Sequence, residues 1–168
     1  MRSDAQLLIR IAGEDRGAFR LLFERHSDRI YRFALSLTRS PHLAEEVLQE
    51  TMMAVWKGAK RFKGRSKVTT WLLGIAKNQA YNLLRKEERG KRLPEAADRV
   101  PDPSDDARMS VQVERALDTL PEAQREVLHL VFYENLTVRE TAELLGVPEG
   151  TVKSRMHHAR RNLAKELA

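Results

Sequence analysis

The stretch LTVRETAELLGVPEGTVKSRMHHARRNL, residues 136–163, contains two predicted helices separated by a tight turn. Thr137 followed by Glu140 is the pattern of a capping box, in which each side chain satisfies a backbone N–H at the start of a helix. The inner stripe of this helix is Val138, Ala142 and Leu145. Gly146 ends the helix and Pro148 begins the next, because glycine accepts left-handed backbone angles and proline suits a helix cap or first turn. The pattern predicts a helix-turn-helix.

The second helix of this motif has two different sides. Its apolar residues recur at helical spacing and are Val152, Met156, Ala159 and Leu163. The other side is basic and rich in hydrogen-bonding groups, and it carries Thr151, Lys153, Ser154, Arg155, His157, His158 and Arg161. Such a helix, directly after a capped helix and a glycine turn, is typical of a reader of the DNA major groove. The alternative is a solvated charged helix at the end of a bundle.

Composition restricts the class of protein further. The chain has 168 residues and is 42% hydrophobic, which suffices for one ordinary core or two small ones. No apolar run approaches the roughly 20 residues that span a bilayer, and the amino terminus lacks the apolar segment of a signal peptide, so we expect no membrane insertion and a cytoplasmic location. The absence of cysteine excludes disulfides, thiolate metal sites and a cysteine nucleophile.

Positive charge is concentrated in one segment. The formal net charge is +6, but residues 57–92 contain twelve Lys and Arg against only Glu87 and Glu88, which leaves +10 there and −4 elsewhere. A patch of this sign binds polyanions by releasing their counterions. The segment is interleaved with residues that can stack on bases or hydrogen-bond to them: Phe62, Trp71, Asn78 and Tyr81. We therefore expect a nucleic acid as partner, the alternative being a solvated helix and loop.

The amino-terminal half reads as a series of helices without strand alternation. Asp15 is a candidate cap for a long helix, whose predicted buried side is Phe19, Leu22, Phe23, Ile30, Phe33 and Leu37. Ser40 and Pro41 open the next helix, and Thr69 or Thr70 is expected to cap a fourth. These patterns predict an all-α fold with two small helical domains.

The third predicted helix has an apolar side and an acidic side. Its core stripe at helical spacing is Ala44, Val47, Leu48, Thr51, Met52 and Val55. The residues that point elsewhere are Glu45, Glu46, Gln49, Glu50 and Met53. We call this second set the acidic face.

The fourth predicted helix follows the loop GAKRFKGRSKV and has an unusual outer strip. Residues at i, i+3, i+7, i+10 and i+14 share one side of the helix, and here they are Trp71, Gly74, Asn78, Tyr81 and Arg85. Core packing could account for either aromatic alone. The amide and the cation on the same side, beside a basic loop, favour a surface that meets a strand of DNA.

The segment PEAADRVPDPSDDAR, residues 94–108, differs in composition from both sides. It holds three prolines, no aromatic residue and five acids against two Arg, a composition typical of an extended linker. We therefore predict one domain over residues 1–93, a flexible acidic linker over 94–108 and a second domain over 109–168.

The order of these features resembles the extracytoplasmic-function, or group IV, sigma factors of bacterial RNA polymerase. The resemblance is carried by AEEVLQETMMAVWKGAKRFKGRSKVTTWLLGIAKNQAYNLLRK for the sigma region 2 domain and LPEAQREVLHLVFYENLTVRETAELLGVPEGTVKSRMHHARRNL for the sigma region 4 domain. It implies a transcription initiation factor that binds core RNA polymerase, recognises the minus-ten and minus-thirty-five promoter elements and promotes DNA melting. It also implies an anti-sigma factor as partner.

The resemblance assigns roles to particular residues. Contact with the clamp helices of the largest polymerase subunit would fall to the acidic face, Glu45, Glu46, Gln49, Glu50 and Met53. Minus-ten contacts would come from Lys63, Arg65, Ser66, Trp71, Asn78, Tyr81 and Arg85, with Asn78 at the place of a base-reading amide. Minus-thirty-five contacts would come from Arg139, Thr151, Lys153, Ser154, Arg155, His157 and His158. Val68 departs from the family pattern because many relatives have an aromatic residue there, and the pair His157 and His158 replaces a more usual aromatic or basic pair.

Two other classes of protein remain as alternatives. A DNA-binding regulator with a sensing or dimerising amino-terminal domain would explain the helix-turn-helix, but not an acidic face next to a basic, aromatic-bearing helix. An enzyme is disfavoured because the five histidines lack HExxH or paired metal-ligand spacing, and neither a G-x-S-x-G elbow nor a glycine-rich phosphate loop is present. We expect no catalytic residue, no cofactor and no metal.

Overall fold

The computed structural model describes residues 2–90 and 105–168, with side chains described from residue 111 onward in the second range. The regular structure of these ranges is helical and contains no strand, which confirms the predicted all-α class. The chain divides into two compact units, Met1–Ala96 and Ala97–Ala168. Most of the predicted linker lies outside the described residues, and the first helix of the second unit begins at Asp105, inside the segment read as linker. The domain boundaries stay a prediction.

Within residues 2–90, the first unit contains four α-helices and a short 3-10 turn. The helices are α1 (Asp4–Ala12), α2 (Arg16–Thr38), α3 (Pro41–Gly58) and α4 (Val68–Arg89), with the 3-10 turn at Ala59–Arg61. Helix α2 packs against α1, α3 and α4, and α3 packs against α4. The largest side chains buried almost completely in this unit are Leu7, Leu8, Ile11, Leu22, Ile30, Phe33, Val47, Val55, Leu72 and Leu73.

Side-chain caps begin α2 and α3 at the predicted residues. The Asp15 carboxylate accepts from the backbone N–H of Ala18 and starts α2, and the Ser40 hydroxyl accepts from that of Leu43 and starts α3. Helix α2 ends at Arg39, whose φ of 58° lies in the left-handed region. That angle lets the chain turn sharply into α3.

The prediction of a threonine cap on α4 is wrong. The helix begins at Val68, and Lys67 at its cap position provides no side-chain capping hydrogen bond. Thr69 lies inside the first turn and accepts a hydrogen bond from Arg29 at 3.1 Å, while Thr70 is buried. The cap position of α4 therefore lies two to three residues earlier than the predicted threonines.

The predicted burial of Phe23 is also wrong, since 39% of this residue is exposed. The buried stripe of α2 runs through Leu22, His26 and Ile30 at i, i+4 and i+8. Phe23 is one residue past Leu22 and so points about 100° away. A count of apolar residues alone includes Phe23 in the buried stripe and misses the polar His26, which is buried.

The second unit is built around the helix-turn-helix. Its helices are α5 (Asp105–Thr119), α6 (Glu122–Leu128), α7 (Val138–Leu145) and α8 (Glu149–Leu167), and a π-helical turn, His129–Tyr133, extends α6. Val127, Ala142 and Val152 form its buried cluster. The half-buried residues packed on that cluster are Val131, Val138, Leu145, Val147 and Met156. The core is small, and every helix around it from α6 to α8 contributes to it.

A polar clip fastens the start of α1 to α2. The carboxylate of Asp4 accepts from Arg25 Nη1 at 3.0 Å, and its other oxygen lies 2.8 Å from Nε2 of the buried His26. Burial raises the pKa of the Asp4 carboxyl, but the hydrogen bonds and positive charges of Arg25 and His26 outweigh burial, and the pKa lies below its ordinary value. The folded state therefore holds Asp4 in its charged form.

We expect Asp4→Asn to lower the free energy of unfolding by roughly 1–3 kcal/mol near neutral pH, because a hydrogen-bonded charge is lost. A carboxyl whose pKa is depressed by folding contributes stability above its unfolded pKa of about 3.9, and this stability is lost as the pH falls below that value. The difference between wild type and Asp4→Asn should accordingly shrink below about pH 4. Urea unfolding over a pH series measures it.

The exposed Asp28 on α2 supplies the matched control. Asp28→Asn removes the same charge from the same unit and should leave stability within about 0.5 kcal/mol. Equal effects of the two variants would contradict the clip.

Candidate nucleic-acid interface

The acidic face is on the outer side of α3. Glu45, Gln49 and Glu50 are exposed, Glu46 is half-buried and Met53 is 50% exposed. The opposite side of the same helix is buried against α2 and α4. Glu46 Oε1 lies 3.2 Å from Nε2 of the exposed His42, one turn earlier. All five predicted docking residues thus lie outside the buried stripe of α3.

The basic loop between the 3-10 turn and α4 presents its cations to solvent. Lys63 and Arg65 are exposed, and Ser66 is half-buried. Gly64 has a φ of 74°, a left-handed angle that glycine adopts without strain. Val68, where many relatives have an aromatic residue, is buried at the start of α4, so its side chain is not available to stack on a base.

The outer strip of α4 combines packed aromatics with an exposed amide. The rings of Trp71 and Phe62 are 5.4 Å apart and tilted by 58°, so Trp71 anchors the basic loop as well as bordering the surface. Asn78 is exposed, and Tyr81 is half-buried. The Asn78 amide is therefore accessible to a base, while the two aromatic side chains on the same strip, Trp71 and Tyr81, are half-buried.

A polar groove between α3 and α4 was missed by the sequence analysis. Its lining residues are Glu50, Gln79, Asn82, Leu83, Arg85, Lys86 and Arg89. Arg85 is held in it by two bonds: Nη2 donates to Asn82 Oδ1 at 2.7 Å and Nε donates to the Tyr81 carbonyl at 3.3 Å. The recurrence of polar residues at Gln79, Asn82, Lys86 and Arg89, three or four apart, was the signal in the sequence.

The predicted helix-turn-helix is confirmed in its local geometry. Thr137 and Glu140 form the capping box of α7, each side chain accepting from the other residue's backbone N–H. Gly146 has a φ of 67° and its N–H bonds the Ala142 carbonyl, which ends α7. Pro148 occupies the cap position of α8. The turn is therefore fixed by backbone conformation at the glycine.

The two sides of α8 are as the sequence predicted. Val152 and Ala159 are buried, and Met156 and Leu163 are half-buried. Of the predicted contact residues, those exposed are Arg139, Lys153, Ser154, His157 and His158, and those half-buried are Thr151 and Arg155. All seven share one unit of the chain.

Other side chains hold α8 in place, and the sequence analysis did not find them. Asn162 Nδ2 donates to Gln124 Oε1 on α6 at 2.9 Å, and the Arg160 guanidinium lies 5.0 Å from the ring centre of Phe132 in the π-helical turn. The histidine rings of His157 and His158 are 5.7 Å apart and inclined by 66°. Within residues 2–90 and 105–168, no group of three His, Asp or Glu side chains is placed to hold a metal ion.

Comparison with known proteins identifies the two units. Residues 22–90 match the model of Sigma-70 region 2, and residues 110–163 match that of Sigma-70, region 4. The ECF RNA polymerase sigma factor SigM of Mycobacterium tuberculosis is 36% identical over 167 residues, which cover 99% of this chain and 85% of that protein. ECF RNA polymerase sigma factor RpoE of Cereibacter sphaeroides is 34% identical over 162 residues, covering 92% of this chain and 88% of the relative.

Solved structures give the same answer. The sigma factor RpoE of Bartonella quintana, in complex with the anti-sigma factor NepR, has a TM-score of 0.77 at 27% identity and covers 89% of this chain and 96% of its own. CnrH, in complex with the cytosolic domain of CnrY, has a TM-score of 0.73 at 25% identity, covering 98% of this chain and 96% of its own.

The chain thus combines a sigma region 2 with a sigma region 4, the arrangement of a transcription initiation factor with DNA-binding domains. It belongs to the extracytoplasmic-function sigma factors and is an alternative sigma factor for transcription initiation. Within the part of the chain that the structure describes, no helix is both long and apolar enough to cross a membrane.

The left-handed turn of the helix-turn-helix gives a stability test. We expect Gly146→Ala to lower the free energy of unfolding by about 1–2 kcal/mol, because an L-residue is strained at a φ of 67°. Gly150→Ala, in the first turn of α8, should instead raise it by about 0.5–1 kcal/mol through helix propensity. An added Cβ meets no atom within 4 Å at either position, so the comparison isolates the backbone. Chemical denaturation with the same sign for both variants would contradict this account of the turn.

Proposed function

We propose that this sigma factor binds core RNA polymerase through the acidic face of α3, reads the minus-ten element with the basic loop and α4, and reads the minus-thirty-five element with α8. The observation that carries the proposal is the opposite character of two adjacent helices in the first unit: α3 has a largely exposed acidic face, and α4 has an exposed amide and follows a basic loop. We propose domain bounds of 1–93 and 109–168 with a linker between them. We also propose that the protein acts in the cytoplasm and performs no covalent chemistry.

Charge and exposure support docking through the acidic face. Glu45, Glu46 and Glu50 project from one helix whose opposite side is buried, and a rigid helix presents such charges at fixed spacing. Complementary charge speeds encounter and fixes the register of an interface. Met53, half exposed on the same face, adds apolar area of the adaptable kind that interfaces use.

Reversal of charge tests the docking proposal. Glu46→Lys with Glu50→Lys should weaken assembly with purified core polymerase more than about tenfold, since like charges facing each other across an interface cost several kcal/mol. The matched control is Glu24→Lys with Asp28→Lys, which makes the same charge change at the same spacing on exposed positions of α2. Titration of labelled sigma factor with core polymerase measures both. Equal affinities of the two double variants, with equal helicity, would remove the docking assignment.

Asn78 is the proposed reader of an extruded minus-ten base. Its side chain is exposed on α4, about two helical turns after the half-buried Trp71 and about one turn before the half-buried Tyr81. Unpairing and unstacking a base costs a few kcal/mol, which stacking and hydrogen bonds in a recess can offset. The proposed supporting contacts to the strand are Lys63, Arg65, Ser66 and Arg85.

We expect Asn78→Ala to change the preference at one base of the minus-ten element by roughly 1–3 kcal/mol and to slow promoter opening. Lys63→Ala is the comparison, because a residue that grips phosphate should weaken binding by one common factor and lower the salt slope by about one unit. Strand opening and transcription by holoenzyme on a panel of single-base promoter variants measure both. A uniform loss for Asn78→Ala, with an unchanged preference profile, would refute the reading role.

The outer side of α8 is the proposed major-groove surface. Its members are Thr151, Lys153, Ser154, Arg155, His157 and His158, with Arg139 on α7 beside them. A helix-turn-helix places its second helix in the groove, where exposed cations and hydroxyls reach base edges and phosphates. The buried cluster of Val127, Ala142 and Val152 supports this by fixing how α8 is presented.

We further propose that an anti-sigma factor restrains this protein. Support comes from the solved sigma factor RpoE of Bartonella quintana, which is in complex with the anti-sigma factor NepR. The shared fold over both units makes the same type of partner the natural expectation for this chain.

A further inference from the structure

Glu50 belongs to two surfaces at once. It is part of the acidic face of α3 and it also lines the groove between α3 and α4. The opposite wall of that groove carries the cations Arg85, Lys86 and Arg89. One carboxylate therefore stands both on the proposed polymerase surface and inside a basic groove.

The rest of the groove is suited to a phosphodiester. Three cations and two side-chain amides, those of Gln79 and Asn82, line it, and both types of group bind phosphate oxygens. The hydrogen bond from Arg85 to Asn82 at 2.7 Å fixes the guanidinium before any ligand arrives. Pre-organised donors lose less entropy on binding.

Position along α4 links the groove to the strip that includes Asn78. Asn78 and Asn82 are four residues apart and so lie on the same side of the helix, and Lys86 follows after four more. From Asn78 to Lys86 the rise is about 12 Å. A strand whose base contacts Asn78 can thus continue along the groove.

We infer that this groove binds the phosphate backbone of single-stranded DNA, and that Glu50 weakens this binding until polymerase docks on the acidic face. In the free protein the Glu50 carboxylate repels an incoming phosphate. Among the described residues no ion pair within 4.0 Å neutralises it. A basic polymerase surface on the acidic face supplies the missing counter-charge. The inference rests on the proposed docking function for its second step only.

The free protein tests the first step. Glu50→Gln should tighten binding of a fluorescein-labelled oligothymidylate about three- to tenfold at low salt, and the gain should shrink as salt screens the charge. Glu45→Gln is the matched control, because it removes one charge from the same helix about 140° away, outside the groove. We expect it to change affinity less than about twofold.

A double-mutant cycle assigns the effect to the groove. Lys86→Gln with Arg89→Gln should weaken oligothymidylate binding, and adding Glu50→Gln to it should then recover much less than in the wild type. Fluorescence anisotropy measures the oligothymidylate affinity of all five proteins, including wild type, with thermal unfolding as a check on the fold. Two outcomes would overturn the assignment of DNA binding to this groove. One is an equal gain in oligothymidylate affinity from Glu50→Gln and Glu45→Gln. The other is an undiminished gain from Glu50→Gln in the variant that lacks Lys86 and Arg89.

Holoenzyme tests the second step. With saturating core polymerase, and after subtraction of binding by core alone, the advantage of Glu50→Gln should fall below about twofold because docking already neutralises the carboxylate. If Glu50→Gln tightened oligothymidylate binding by holoenzyme as much as it does in the free protein, the proposal that docking neutralises Glu50 would be overturned. Affinity for core measured without DNA separates the two ideas: if Glu50→Gln left it unchanged, Glu50 would not be a docking residue, while the result for the groove in free protein would stand.

Discussion

Mutual burial of α2, α3 and α4 is the interaction on which the first unit depends. Each helix gives one apolar stripe to a shared core, and such burial is the main favourable term in folding. Once these stripes are fixed, the remaining side of each helix is fixed as well. The acidic side of α3 and the amide-bearing side of α4 are held at constant spacing by a core that neither of them enters. The surfaces proposed to bind polymerase and DNA are the sides of α3 and α4 that the core does not bury.

The sequence predicted those features that rest on periodicity and on local caps. The stripe of α3, the capping box at Thr137 and the turn at Gly146 each depend on residues within one or two helical turns, and all are found in the structure. The start of α4 was misplaced because Thr69 bonds to Arg29, forty residues away. Phe23 was misplaced because a polar residue, His26, is buried through its contact with Asp4. Long-range polar contacts of this kind leave no periodic trace in the sequence.

The candidate sites likewise differ in whether helical spacing or tertiary packing determines them. Exposure of the acidic face, of Asn78 and of the outer side of α8 followed from helical spacing alone. The groove did not, because it needs Glu50 of α3 and Arg89 of α4 on opposite walls, and their juxtaposition is set by tertiary packing. Membership in the sigma family came from long matching segments on the two units. The particular roles of these side chains remain for experiment to decide.

The π-helical turn at His129–Tyr133 has a consequence for how such a domain can diversify. Glu134 donates its N–H to the His129 carbonyl at 3.0 Å, five residues back, so this turn holds one residue more than an α-helical turn would. Such turns are structural equivalents of a single-residue insertion within a helix. Gain or loss of one residue here would shift the residues after the turn by about 100° relative to Val127, which precedes it and belongs to the buried cluster. The contact side chains of α8 would keep their chemistry, but the domain would have to repack around them. Variation at this turn therefore acts on the packing of the domain and not on the residues proposed to touch DNA.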